Sequence, residues 1–457
     1  MKWKSDILPI IAVGLLLYSC SAPRPATDPE PVQTESTIQQ KLSNLFSGST
    51  VFSSSQAGFL LYDPEQGKTL FDLNGNRFFT PASNIKIFTL YASLKTLPDT
   101  LPSIRYAIEG DTLYFRGTGE PSFLNSWSNR RDLYNFLSGR EEILAYDDRH
   151  FTDQPYGPGW SWDWYSQPYA VEKSPFPIYG NIVRFYAQQV ALVILDENRP
   201  VDPPHFENYL EQLPWNGEQV ALVDRDREGN RFTYSPRADT ARQVRQIPFR
   251  YDRNLMVSLL SDTLGREVHL AGDQAPALNL SLAITPAEEL YRRMMLQSDN
   301  LVAEQLMLMI AEQELGQMHV QSAIQWSMNR HLSELSDGVV WEDGSGLTRY
   351  NLVTPAAVTG ILERLITEFG QNRILSLFPA GGQSGTLGNF FHPPAGQPPY
   401  VYGKTGTLRN NTALSGYLRT ESGRLLLFSF FVNNFTQGSG TVRSEMERVL
   451  NLVRTGF

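Results

Sequence analysis

A serine and a lysine stand three residues apart in the segment TPASNIKIFT, at positions 80–89. If this segment is helical, residues three apart share one face, so the amine of Lys86 reaches the hydroxyl of Ser83. A partly buried lysine close to another positive charge loses its proton more readily, and the neutral amine can then activate a serine nucleophile. The alternative is a surface lysine on an amphipathic helix, and the pair alone does not decide.

A second polar group, Ser298-Asp299-Asn300, interrupts two helical patterns and is expected to form the loop between them. The Ser298 hydroxyl suits a proton relay, and the Asn300 carboxamide suits a hydrogen bond to a substrate amide. The alternative is a helix cap, a position that serine, aspartate and asparagine all favour. The same spacing recurs at Ser327 and Asn329, so this motif is not specific by itself.

A third group, Lys404-Thr405-Gly406, lies on a predicted strand near the end of the chain. Gly406 leaves room for the backbone of a ligand, while the Lys404 ammonium and the Thr405 hydroxyl suit a carboxylate. The alternative is an exposed strand lysine before a glycine bend.

The order of the three groups, S-x-x-K, then S-D-N, then K-T-G, favours a joint interpretation. This order is typical of enzymes that transfer an acyl group through a serine, the β-lactamases and penicillin-binding proteins. Each group also falls in a fitting element: the start of a helix, an interhelical loop and a strand.

Strand patterns at both ends of the chain enclose a long middle region. Residues 56–75 read as two strands around a turn, a helix follows them, and strands return after Tyr400. Between these ends, short β-like runs alternate with Gly, Pro and Asp turns. We therefore predict one α+β domain, residues 38–98 and 276–457, interrupted by a β-rich insertion at 99–275.

The N-terminus, residues 1–20, resembles a secretory signal, with two lysines before an apolar run too short to span a bilayer. Cys20 lies in LYSC, which resembles a bacterial lipoprotein box, and residues 21–37 are expected to form a flexible tether. We therefore expect an exported, periplasmic protein that is lipid-anchored through Cys20 to the outer membrane. The alternative is an ordinary signal peptide with an incidental cysteine.

The composition argues against several kinds of partner. The 457 residues carry a net charge of −9 and no run of basic residues, so nucleic acid is not an expected partner. The six histidines are scattered without H-E-x-x-H spacing, so neither a metal nor another cofactor is expected. With one cysteine in the chain, the core must hold together without an internal disulfide.

Further segments resemble the class C low-molecular-mass penicillin-binding proteins, the D-alanyl-D-alanine carboxypeptidase/endopeptidases. They are SDNLVAEQL, DGSGLTRYNLVTP at 343–355 and GKTGTLRNNTALSGYL. The spacing of 215 residues from Ser83 to Ser298 is similar to that of the family, which carries an insertion between these two motifs. The resemblance implies a penicillin-binding transpeptidase-like domain, related to the serine β-lactamases, with an antiparallel sheet flanked by helices.

The resemblance also implies a chemical role for four residues. Ser83 attacks the carbonyl between two D-alanines, and Lys86 takes its proton. Ser298 passes a proton to the leaving amine, and Asn300 holds the substrate amide. The expected partners are peptidoglycan peptides, together with β-lactams that mimic them and acylate Ser83.

Substrate binding is expected to involve three residues of one strand. By the resemblance, Lys404 and Thr405 bind the terminal carboxylate, and the N–H groups of Ser83 and Thr407 form an oxyanion hole.

Two further candidates lie outside these motifs. Asp147, in DDRHF, fits an acidic position that meets the amino group of a stem-peptide side chain, and Arg349 is a second candidate for substrate binding. Both have a structural alternative as partners in ion pairs.

Two other functions stay open at this point. A β-lactamase needs fast deacylation, but the E-x-x-L-N pattern linked to it occurs only at 447–451, after K-T-G. A non-catalytic peptidoglycan-binding or β-lactam-sensing protein would suit the large insertion, whereas the intact motif residues favour catalysis.

Overall fold

The structure, a computed structural model, describes residues 35–189, 191–192, 201–213, 223–234 and 239–457. The predicted signal, most of the predicted tether and the lipidation site Cys20 lie outside the described residues. Within the described ranges, no helix is both long enough and apolar enough to cross a membrane.

Helices and strands alternate along the described chain. The α-helices are α1 Glu35–Gly48, α2 Thr50–Ser53, α3 Lys86–Thr96, α4 Asp132–Ser138, α5 Arg253–Leu264, α6 Ala287–Leu296, α7 Asn300–Leu315, α8 Val320–His331, α9 Pro355–Phe369, α10 Gln371–Leu377 and α11 Ser439–Gly456. The strands are β1 Gln56–Asp63, β2 Lys68–Leu73, β3 Thr100–Glu109, β4 Thr112–Gly117, β5 Ile143–Tyr146, β6 Ile182–Gln189, β7 Ala191–Leu192, β8 Val201–Asp202, β9 Leu210–Gln212, β10 Val223–Arg225, β11 Phe232–Tyr234, β12 Asp239–Pro248, β13 Val268–Leu270, β14 Leu280–Pro286, β15 Val339–Val340, β16 Leu352–Val353, β17 Val401–Leu408, β18 Asn411–Arg419 and β19 Leu425–Asn433.

A five-stranded antiparallel sheet forms the centre of the main domain, in the order β17-β18-β19-β1-β2. Strand β19, LLLFSFFVN, is buried at every position because helices cover both faces of the sheet. On one face Phe430 packs in the same core as Ile38 of α1 and Leu450 of α11. On the other, Phe431 packs in a second core with Ile361 of α9. A strand covered on both faces has to be mostly apolar, and in β19 only Ser429 and Asn433 are polar.

The described residues of the inserted region form three further sheets around a hydrophobic core of their own. The largest has the order β13-β5-β4-β3-β14 and packs with α5. Strand β14 pairs with β3, with Ser281 opposite Arg105, so the inserted sheet continues to Pro286. It therefore extends past the predicted boundary at residue 275. At the other end of the chain, α1 begins at Glu35, inside the segment predicted as a tether.

A buried carboxylate on α7 fastens the insertion to the main domain. Glu312, whose side chain is 2% exposed, accepts hydrogen bonds from Arg105 on β3 at 2.6 and 3.2 Å and from Arg116 on β4 at 3.0 Å. Charged groups removed from water are stable only when they are paired in this way.

We expect Glu312→Ala to destabilise the protein, because two guanidinium groups lose their shared acceptor. The two arginines stay 30% and 22% exposed, so the loss should lie at the lower end for a broken buried pair, about 3 kcal/mol. Glu314→Ala, on the exposed side of the same helix, is the matched control and should stay within about 0.5 kcal/mol of wild type. Urea unfolding measures both, and equal midpoints for the two variants would contradict the fastening role.

Candidate active site

Ser83 lies in a single 3-10 turn, Ala82–Ile85, that leads into α3. Ala82 has a φ of 48°, in the left-handed region that residues with side chains rarely adopt. The turn is fixed from outside, since the Asn84 side chain donates a hydrogen bond of 2.8 Å to the Lys404 carbonyl on β17. The sequence therefore predicted the helix correctly, but the serine occupies the tighter turn that precedes it.

Two glycines allow the backbone to close around this turn. A Cβ atom at Gly406 would lie 2.5 Å from the Pro81 carbonyl oxygen and 3.1 Å from the Ser83 nitrogen. Gly346, with a φ of 83°, would place a Cβ atom even closer to the carbonyl of Ala82. Gly406, the glycine of K-T-G, is thus required because the turn that carries Ser83 packs directly against its backbone.

Lys86 is fully buried, and its amine makes three hydrogen bonds. Its Nζ lies 3.1 Å from Ser83 Oγ, 2.6 Å from Asn300 Oδ1 and 2.5 Å from the Ser345 carbonyl oxygen. Burial lowers the pKa of the Lys86 amine to about 8, although the neighbouring carboxylates of Asp343, Glu304 and Asp299 oppose this shift. A neutral amine is therefore accessible near physiological pH at the position from which it can accept the Ser83 proton.

The S-D-N segment forms the turn between α6 and α7. Ser298 has a φ of 57°, which turns the chain sharply. Asp299 caps α7 by accepting the Val302 N–H. Asn300 Oδ1 accepts from Lys86, and its Nδ2 donates to the Tyr169 carbonyl. The helix-cap alternative is thus true of Asp299, while Ser298 and Asn300 face the two lysines.

Lys404 is fully buried on β17, so the alternative of an exposed strand lysine is wrong. Its amine donates to Ser298 Oγ at 2.8 Å and to the Thr405 carbonyl at 2.9 Å. Burial, and the nearby positive charge of Lys86, lower the pKa of Lys404 well below its usual value. Thr405 donates its hydroxyl hydrogen to Thr386, a residue that the sequence motifs did not identify.

A buried acidic pair supports the catalytic lysine and also escaped the sequence interpretation. Glu304 accepts the Ser345 N–H at 2.8 Å and so holds in place the residue whose carbonyl oxygen accepts a hydrogen bond from Lys86. Asp343 accepts the N–H groups of Gly346 and Thr348, both at distances under 3 Å. Burial and the Asp343 charge raise the pKa of Glu304 to about 7. Glu304 lies in SDNLVAEQL and Asp343 in DGSGL, but a buried acid leaves no periodic signal.

An open cavity of about 630 Å³ gives access to this arrangement. Its lining includes Ser83, Ser298, Asn300 and Thr407, four residues that the sequence predicted. They come from the serine turn, the interhelical loop, the start of α7 and the edge strand β17.

Asp147 and Arg349 do not line this cavity. Asp147 follows β5 in the insertion and forms a two-point ion pair with Arg149, so the structural alternative describes it. Arg349 is exposed and donates to the Arg409 carbonyl. The substrate contacts predicted for these two residues stay predictions.

Two lysine–serine pairs beside the edge strand of a five-stranded antiparallel sheet define a serine acyl-transfer enzyme of the penicillin-binding class. Consistent with this, residues 38–453 match the D-Ala-D-Ala carboxypeptidase 3 (S13) family, and the chain belongs to that family. It is a serine-type carboxypeptidase. The predicted family, α+β fold and class of enzyme are confirmed.

Similar proteins cover most of the chain. D-alanyl-D-alanine carboxypeptidase DacB of Haemophilus influenzae is 25% identical over 434 residues, 84% of this chain and 86% of that protein. The D-alanyl-D-alanine carboxypeptidase of Actinomadura sp. strain R39 is 26% identical over 427 residues, 84% and 78% of the two chains.

The fold is shared with penicillin binding protein 4 (dacB) of Haemophilus influenzae, at a TM-score of 0.74 and 21% identity over 91% of this chain and 99% of that one. The same protein complexed with a β-lactam gives a TM-score of 0.67 at 19% identity, with the same coverage of both chains.

We expect acylation of Ser83 by a fluorescent penicillin to accelerate as pH rises, with a midpoint near the Lys86 pKa of about 8. Glu304→Gln removes a negative charge that raises the Lys86 pKa, so its midpoint should lie at lower pH. Stopped-flow measurement of the acylation rate at a series of pH values from about 6 to about 10 would detect this shift. If the acylation rate of Glu304→Gln were lower at every pH but its midpoint stayed at the wild-type pH, Glu304 would have a purely structural role.

Proposed function

We propose that this enzyme releases the terminal D-alanine of peptidoglycan stem peptides through an acyl-enzyme on Ser83. The observation that carries the proposal is the doubled lysine–serine arrangement, with Lys86 beside Ser83 at 3.1 Å and Lys404 beside Ser298 at 2.8 Å. One pair activates the nucleophile, and the other delivers a proton to the leaving group.

Acylation begins when Ser83 Oγ attacks the carbonyl carbon between the two D-alanines and its proton moves to neutral Lys86. The negative charge on the carbonyl oxygen is stabilised by the N–H groups of Ser83 and Thr407. When the C–N bond breaks, Ser298 donates its hydroxyl proton to the departing amine. The proton that Lys86 took from Ser83 then restores the Ser298 hydroxyl by way of Lys404, so that Lys86 is neutral again. Water then attacks the ester, with Lys86 again as the base, and frees Ser83.

Binding of the substrate uses the same groups. The terminal carboxylate lies near Lys404 and Thr405, where an arriving negative charge raises the Lys404 pKa and keeps its ammonium protonated. Asn300 holds the amide of the preceding residue. The β-lactam complex of the Haemophilus protein supports the same acylation here, because a β-lactam ring presents an equivalent carbonyl and carboxylate.

The β-lactamase alternative has no geometric support. Glu447, from the E-x-x-L-N pattern, lies in α11 and is absent from the lining of the cavity that contains Ser83. Because no carboxylate is assigned to activate the water that attacks the ester, we expect the acyl-enzyme to be long-lived. Endopeptidase cleavage of crosslinks would use the same steps with a larger leaving group.

We expect Ser83→Ala to abolish covalent labelling by a fluorescent penicillin and release of D-alanine from a D-Ala-D-Ala peptide. Ser298→Ala should still be labelled, but about 10²–10³-fold more slowly, because the leaving group loses its proton donor. Ser327→Ala, from the second S-x-N match, is the control. Its buried hydroxyl has no hydrogen-bond partner among the described residues, so wild-type rates are expected. Retained turnover in Ser83→Ala would refute the mechanism.

We further propose that the protein is exported and held at the periplasmic face of the outer membrane by a lipid on Cys20. The support is the sequence alone: a short apolar run, a lipoprotein-like box and a single cysteine at the expected cleavage point.

Replacement of that cysteine tests the anchor. In cells expressing the full chain, wild type should incorporate radiolabelled palmitate and partition into detergent, whereas Cys20→Ser should do neither. Ser19→Ala, which leaves the cysteine in place, should behave as wild type. Equal labelling of both variants would contradict lipidation at this residue.

A further inference from the structure

A loop rich in aromatic residues borders the active site. We call residues 155–172 the aromatic loop; its aromatic residues are Tyr156, Trp160, Trp162, Trp164, Tyr165 and Tyr169. The ends of the loop meet where Lys173 N–H donates to the Pro155 carbonyl at 2.8 Å. Trp160 donates to Asp343, and Asn300 donates to the Tyr169 carbonyl, so the catalytic groups themselves hold the loop in place.

A second cavity of about 370 Å³ is lined in large part by residues of this loop. Trp164 lines both this cavity and the one that contains Ser83, so the two cavities adjoin at this residue. The second cavity has the volume of a small-molecule site, at the lower end of the usual range of about 300–1,000 Å³. The mechanism proposed above makes no use of it.

The polar groups of the second cavity carry balanced charge. Glu172, which is 1% exposed, accepts the Tyr251 N–H and lies 3.7 Å from Arg250. Glu228 lies 3.4 Å from Arg250 and 3.2 Å from Arg227. Two carboxylates and two guanidinium groups therefore neutralise each other, and the cavity offers many hydrogen-bonding atoms without excess charge.

Trp162 stands at the edge of this cavity with 70% of its surface exposed. Arg227 lies over its ring at 5.3 Å, which fixes the orientation of the indole. Neighbouring walls come from Tyr156, Trp164 and Tyr165. A large aromatic surface left open beside a polar rim is typical of a recognition site and contributes little to folding.

We propose that the second cavity binds a sugar ring of the glycan strand that carries the stem peptide. A pyranose presents apolar C–H faces, which stack on indole and phenol rings, and an edge of neutral hydroxyl and acetamido groups, which pair with Glu172, Arg227 and Arg250. A charged amino-acid side chain would instead require an excess of opposite charge. The inference rests on the proposed function, because it places the sugar upstream of the peptide bond cleaved at Ser83.

The spacing of the two cavities agrees with this substrate. In a stem peptide, about three residues separate the sugar from the scissile D-alanine pair, which extends about 10 Å when fully stretched. Because the two cavities adjoin at Trp164, a linker of this length can reach from one to the other. The enzyme would then read both the peptide and the polymer to which it is attached.

The test compares a synthetic D-Ala-D-Ala pentapeptide with the same pentapeptide on its N-acetylated disaccharide. Wild type should prefer the disaccharide substrate by about five- to tenfold, through a lower KM. Trp162→Ala should reduce this preference to below about twofold while acylation by penicillin stays unchanged, since Trp162 does not line the cavity of Ser83. Phe78→Ala, another exposed aromatic, 46% exposed and outside the second cavity, should keep the preference.

Each contrary result has a separate meaning. Equal efficiency of wild type on both substrates, or an equal loss on both substrates in Trp162→Ala, would overturn the sugar site and leave the carboxypeptidase intact. If neither peptide were cleaved and penicillin failed to label Ser83, the proposed function itself would fail.

A direct binding measurement tests the sugar site even if the enzyme cleaves neither peptide. Calorimetry with chitotetraose on full-length Ser83→Ala protein should show binding that Trp162→Ala, added to it, weakens about five- to tenfold. No detectable binding would overturn the proposal.

Discussion

Two lysine side chains, Lys86 and Lys404, are buried together in one site, and the cost of keeping positive charge there constrains everything around them. Each amine is surrounded by oxygen acceptors, among them the hydroxyls of Ser83 and Ser298. The Asp343 carboxylate stabilises the charged form of Lys86, while burial favours the neutral form. The resulting balance places a basic amine next to the nucleophile, and it is kept only while the surrounding elements exclude water from the amine.

Helix α7 carries this constraint from the insertion to the base. Its first residue, Asn300, binds Lys86, and one turn later Glu304 fixes the Ser345 peptide. Gln305 donates to carbonyls of the insertion, and near the far end Glu312 binds two of its arginines. The inserted sheets and the catalytic amine are therefore connected through one rigid element. A displacement of the insertion would therefore move α7 before it moved the other elements of the site.

Much of the fold and site was accessible from the sequence because the chemistry occurs in short local motifs. Ser83 and Lys86 are neighbours on one turn, and the K-T-G strand follows a strong β pattern. What local patterns could not reveal depends on distant partners. Glu304 reads as an ordinary helical acid until the Ser345 N–H is placed beside it. The ion pair of Asp147 with Arg149 depends on how the chain turns after β5, which no local pattern shows. The sequence did not show that β14 belongs to the inserted sheet, because its partner β3 lies about 175 residues earlier in the chain.

The pairing of β1 with β19 determines how late in synthesis the active site can form. Gln56, near the start of the described chain, pairs with Asn433, and the Asn84 side chain binds the Lys404 carbonyl across 320 residues. A nascent chain emerging from a ribosome has no central strand until residues 425–433 have been released. A shorter chain therefore lacks the strands against which the serine turn rests, so hydrolytic activity arises only after these late strands have been made.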